Sequence, residues 1–257
     1  MRFKVFIRLV KNSVKESLAY RTSSVIMFIV VFLFFLLQIL ANFIFYKYTN
    51  SIAGYTLFDS INLINTATLI THLNYSLFII GNESIYYELI EGEMDYKFLR
   101  PINSYWLYAF YGFDIQSFIT FLLHAIFQIY LFSLQKVTAL KISAYILMVI
   151  LGSFYIFLIL RALVLLVFYT DKANSIQGIP ELLEDAASRP KGIYPKFIRY
   201  IFIYFISYLM VYNGPIDVLK GNINYSYLLG YIISLLLFLI ITYKLWFIAI
   251  KKYQSSN

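Results

Sequence analysis

Six long apolar runs joined by short polar loops take up most of this 257-residue chain. A crossing of the hydrocarbon layer takes about 20 apolar residues, and soluble proteins of this size do not repeat runs of that length. The runs fall at 24–46, 57–80, 106–134, 142–169, 197–211 and 228–250. With 61% of residues hydrophobic and 13% charged, the polar side chains cannot cover a soluble surface. The pattern predicts an all-α integral membrane protein: six transmembrane helices in a single domain over 1–257.

The basic residues give the orientation. With the N-terminus inside, fifteen of the 21 Lys and Arg residues fall in inner segments. Lys47, Lys136, Lys141 and Lys220 fall in outer loops, and Arg161 and Lys244 lie within runs. This asymmetry predicts that both termini are cytoplasmic. The net charge of +8 then reports orientation and contact with anionic lipid headgroups, and implies membrane lipids rather than nucleic acid as partners. The absence of Cys removes disulfides, iron–sulfur clusters and thiolate metal sites. The first run is too long for the apolar stretch of a signal peptide and reads as an uncleaved anchor.

Several segments outside the runs have a pattern of their own. Over 2–20, Phe3, Phe6, Ile7, Val10, Val14 and Leu18 recur at helical spacing, with Arg2, Lys4, Arg8, Lys11 and Lys15 mainly on the other side. That predicts an amphipathic helix lying in the membrane interface. The loop 82–101 holds Glu83, Glu88, Glu91, Glu93 and Asp95 on a side where basic residues are the rule. Asn82 or Ser84 can cap a short helix there, and Gly92 can end it. A short acidic helix of this kind is a candidate docking element for a soluble partner. A second helix is expected after Pro180, in the loop between runs four and five, with Glu181, Glu184 and Asp185 in its early turns. The fifth run is short and ends at Asn213-Gly214-Pro215, so 214–226 is expected to form an outer re-entrant segment.

Polar residues inside the runs are the candidates for function. Asn62, Asn65, Thr68 and His72 of run two fall within about half of a helical wheel and could line a pathway, or could bond neighbouring helices. Asp114 and Arg161 each lie about nine residues from the same face, roughly 13 Å deep at 1.5 Å per residue, which suggests a buried ion pair. The alternative is that Arg161 reaches the headgroups and Asp114 bonds a nearby hydroxyl or Gln116. His72 and His124 are the only histidines and have no acid or histidine at metal-ligand spacing, and no catalytic motif falls within the runs. The chain is therefore not expected to be an enzyme, to bind a metal or to carry a cofactor.

Ile90-Glu-Gly-Glu-Met-Asp-Tyr-Lys-Phe-Leu-Arg-Pro101 resembles a signature segment of ABC-2 family transporter permeases, of the compact six-span kind without a fused ATPase. Ser188-Arg-Pro-Lys-Gly-Ile-Tyr-Pro195 and Gly214-Pro-Ile-Asp-Val-Leu-Lys-Gly221 resemble two further segments of that family, in the same order. Lys97 with Phe98, and Pro190 with Lys191, depart from its usual pattern. The resemblance implies an exporter subunit in a bacterial cytoplasmic membrane, paired with a second permease and driven by an ABC ATPase dimer that holds ATP and Mg. No Gly begins a phosphate-binding P-loop in this chain, which fits a separate ATPase. The resemblance further implies that 82–101 couples to the ATPase, through Glu83, Glu88, Glu91, Gly92, Asp95, Arg100 and Pro101. A secondary transporter, or the membrane component of an uptake system, is the alternative; neither would need an acidic cytoplasmic helix.

Overall fold

The structure is a computed structural model that describes Ile7 and residues 10–15, 21–169 and 179–253. Among the described residues the regular elements are helices, apart from one isolated bridge between Ile52 and Tyr55. Residues 10–15 are helical; most of the interfacial helix expected over 2–20 lies outside the described residues. The main helices are α1 (Arg21–Tyr46), α2 (Leu57–Asn74), α3 (Ile80–Glu91), α4 (Asp95–Phe98), α5 (Ser104–Ala109) and α6 (Ile115–Gln135). They continue with α7 (Ala139–Leu166), α8 (Ile179–Ala187), α9 (Lys196–Tyr200), α10 (Tyr208–Lys220) and α11 (Tyr225–Ala249). Five stretches are long and apolar enough to cross a membrane: Val25–Tyr46, Leu57–Glu91, Ile115–Gln135, Ala139–Tyr169 and Tyr225–Lys252.

A reciprocal cap starts α2: Thr56 Oγ1 accepts from the Asp59 amide at 3.2 Å, and Asp59 accepts from the Thr56 amide at 2.9 Å. The helix then passes through a π turn at Tyr75–Ile79 into α3, a continuous rod of 35 residues. No new helix starts at Asn82 or Ser84. Ser84 Oγ donates to the Ile80 carbonyl inside the rod, and Asn82 is buried. The rod stops at Gly92, whose φ of 72° is a left-handed conformation that costs glycine no side-chain clash.

The third run is broken. α5 ends at Ala109, and α6 starts only after Asp114, whose carboxylate accepts from Gln116 N at 3.0 Å and from Ser117 Oγ at 2.6 Å. The Asp114 amide donates to the Ser76 carbonyl at 3.0 Å, so the break is pinned to the π turn of the rod. Gly81 brings α3 against α5: a Cβ there would lie 1.7 Å from the Tyr108 carbonyl oxygen.

Helix α7 is the centre of the bundle, with α2, α10 and α11 packed around it. Asn74 donates to the Ser153 carbonyl at 2.8 Å, and Thr66 meets the Tyr145 hydroxyl at 2.7 Å. At one end of the bundle, Tyr46 OH donates to the Tyr55 carbonyl at 2.8 Å, joining α1 to the start of α2. At the other end Val25 and Phe28 of α1 face Glu83 and Tyr86 of α3, and Tyr253 OH accepts from the Met94 amide. The start of α1 and the last described turn after α11 therefore lie together, at the end that carries α3 and α4.

The path between α7 and α11 differs from the one expected. Ile179–Ala187 rises beside Tyr75 and Thr71, and Gly192 reaches Ala53 at the end opposite α4. There Asn213 accepts from Tyr55 OH at 2.8 Å and from the Lys191 amide at 2.9 Å, and donates to the Ala187 and Arg189 carbonyls. Lys191 pairs with Asp217, and Lys220 with Asp59 at 3.1 Å. The run expected to cross at 197–211 is instead two arms, Lys196–Phe205 and Tyr208–Lys220, that meet at 90°. Both arms lead back to the end carrying Tyr55, so they form a re-entrant hairpin. The hairpin turns at Ile206 and Ser207, with Ser207 at φ 44°, while Gly214 and Pro215 stay inside α10. The re-entrant element is thus 196–220 rather than 214–226.

Candidate functional site

Two features of the fold can do work: a tip at the α3–α4 end and a cavity beside it. At the tip, Gly92 turns the chain from the rod into α4, and Glu88 reaches across the turn to pair with Lys97. Tyr108 OH donates to the same carboxylate at 2.6 Å, and the Lys97 ammonium lies over the rings of Tyr108 and Tyr111. Burial pulls the Lys97 pKa down, with the Glu88 contact opposing it. Phe98 packs on Tyr253, tying the last described turn of the chain to the same corner.

Glu88 is therefore an internal strut. Glu91, Glu93, Arg100 and Pro101 are exposed around it, and Asp95 is half-buried. Between the charges stand Tyr87, Ile90 and Leu99, the last 83% exposed. A rigid corner that presents apolar side chains within a charged rim has the make-up of a protein-docking surface.

The cavity holds about 950 Å³ between α1, the α2–α3 rod, the start of α6, the C-terminal end of α7 and the start of α8. Its walls include Phe28, Val31, Leu163 and Val164, and its polar residues include His72, Asn82, Glu83, Asp114 and Glu181. Glu83 therefore faces this space and not the tip. The sequence marks Asn82 as a candidate helix cap and Glu181 as part of the early turns of a short helix, and nothing in it marks these two or Tyr75 as lining a cavity.

The polar face of α2 divides. Asn62 accepts from Gln128 at 2.8 Å, and Asn65 bonds both Gln128 and His124, at 2.8 and 2.7 Å, so these two bind α2 to α6. Thr68 donates to the Ile64 carbonyl of its own helix. Only His72 of the four candidate pathway residues lines the cavity.

The expected ion pair does not form. Asp114 spends its carboxylate on the cap of α6, and the three guanidinium nitrogens of the buried Arg161 have no hydrogen-bond partner. Arg161 instead stands among the rings of Tyr105, Phe157 and Trp246, its Cζ 5.1–5.3 Å from each centroid. The break before α6 turns Asp114 into a cap, which leaves Arg161 without an acid on the neighbouring helix.

A family model described as ABC-2 family transporter protein matches residues 13–257. No curated protein and no solved structure matches the chain.

Proposed function

Because the chain belongs to the ABC-2 family of transporter proteins, as a multi-pass membrane permease, we propose that it is the membrane subunit of an exporter driven by a separate ABC ATPase dimer. The α3–α4 tip is the coupling element on this reading. Ile90 and Leu99 seat in the ATPase, and Glu91, Asp95, Arg100 and Pro101 form the rim around them. Glu88 and Gly92 keep the shape of the tip. ATP and Mg bind on the ATPase, and this chain performs no catalysis.

The tip end is cytoplasmic in this assignment. The charge asymmetry behind it is smaller than the sequence suggests, since Arg189, Lys191, Lys196 and Arg199 belong to the opposite end. Moving them changes the count from fifteen and four to eleven and eight. The direction survives, and three of the eight, Arg189, Lys191 and Lys220, are ion-paired to acids.

The observation that carries the coupling reading is the exposed apolar pair, Ile90 and Leu99, on a corner braced by the ion pair of buried Lys97 with half-buried Glu88. The double variant Ile90→Glu/Leu99→Glu should reduce ATPase recovered with the detergent-solubilised permease about tenfold or more, a loss of roughly 1.4 kcal/mol or more. Its thermal midpoint should stay near that of the parent. Undiminished ATPase recovery with a folded permease would remove the tip from the interface.

A further inference from the structure

The cavity beside the tip has a charge preference. Two of its carboxylates, Glu83 and Glu181, are exposed to it, and Asp114 adds a third negative charge from the cap of α6. No Lys or Arg lines it among the described residues. A second observation points independently to a ligand. Asn82 lines the cavity while only 3% exposed, yet neither its amide nitrogen nor its carbonyl oxygen has a partner. Nδ1 of His72, on the same wall, is also unpartnered. Buried amides are normally satisfied, and unpaired ones carry a desolvation cost that an incoming group can relieve.

The remaining lining sets the shape of that group. Phe28, Val31, Leu163 and Val164 give an apolar wall, and Tyr75, Tyr86 and Tyr87 offer ring faces suited to a cation. About 950 Å³ is at the upper end of the range for a drug-sized ligand.

We propose that this cavity binds an amphipathic organic cation: an apolar body against α1 and α7, a cationic head toward Glu83 and Glu181, and a hydrogen-bonding group at Asn82. The proposal deepens the permease reading by naming the class of substrate. Equilibrium binding tests it without the ATPase, so its failure is distinct from a failure of the coupling interface.

The experiment uses the full chain in nanodiscs of zwitterionic lipid. Rhodamine 6G serves as the cationic fluorescent probe and 1-anilinonaphthalene-8-sulfonate as an anionic one. Rhodamine should bind saturably, be displaced by tetraphenylphosphonium, and show no competition from the anionic probe. Glu83→Gln/Glu181→Gln should weaken rhodamine binding about tenfold, and Asn82→Leu should weaken it too. Asp185→Asn, outside the cavity, should leave it unchanged. Equal rhodamine affinity in the folded double variant would overturn the assignment. So would displacement of rhodamine by the anionic probe from the parent protein, a result that depends on no variant folding.

Discussion

Arg161 and Asn213 are both fully buried, yet one has its three side-chain nitrogens without a hydrogen-bond partner and the other has both ends of its side-chain amide engaged. Rings over a desolvated guanidinium contribute about 2 kcal/mol in favourable cases, whereas the effective cost of taking an ion out of water is several kcal/mol. Replacing a buried charge with a hydrophobe of similar volume is often neutral or stabilising, by about 1–4 kcal/mol. Arg161→Met should therefore hold or raise the thermal midpoint. Asn213→Leu should lower it, because a hydroxyl, an amide and two carbonyls then lose their partner, at about 1–3 kcal/mol for each group left dry. A lower midpoint for Arg161→Met would show that the three rings outweigh the desolvation. Neither environment can be read from nearby sequence: the partners of Asn213 lie 22 to 158 residues away.

The difference between what an element looks like and what it does is greatest in α8 and the hairpin after it. α8 has nine residues and three acids, so no hydropathy window marks it; Glu184 is held inside the bundle by Thr71 at 2.5 Å. The 196–220 hairpin is apolar enough to pass for a span: its second arm is buried against α7, while its first arm leaves Phe197, Ile198, Tyr200 and Phe205 exposed. The long α1, α2, α7 and α11 were legible because length and hydropathy alone define them, and the stop at Gly92 because only backbone freedom was needed. The break at 110–114 was not, since it depends on the Ser76 carbonyl and on Gly81 meeting Tyr108. For the site, the acidic segment 83–95 stood out by charge, but its split into a strut, a rim and a cavity residue is tertiary. A sided labelling experiment in this Cys-free chain tests the path. Arg189→Cys should react with an impermeant maleimide from the same side as Ser51→Cys, and Leu99→Cys from the other. Arg189→Cys reacting with Leu99→Cys would restore the straight fifth span.

At the scale of the molecule, α1 stands apart, packed on α2 and α6 along one side and exposing Val30, Phe34, Leu37 and Ile44 along the rest. A second copy of the permease placed against this helix would bury apolar surface that is otherwise left to lipid. Phe34→Cys or Leu37→Cys should then give a crosslinked dimer of roughly twice the 30.2 kDa chain mass, and Ile129→Cys on α6 should not. Equal crosslinking from α6 would assign the contact to chance collision. The continuous α2–α3 rod has a mechanical consequence. About 17 residues, roughly 25 Å of helix, separate Gly92 from Tyr75. On the proposed docking, the ATPase grips the end of a stiff lever whose fulcrum is the π turn, where helices bend most readily. A tilt of about 5° at that fulcrum moves the gripped end by roughly 2 Å over this length. The reverse holds as well: a stroke of that size at the ATPase arrives as torque on the segment carrying Tyr75, beside the cavity, with no loop between them to absorb it.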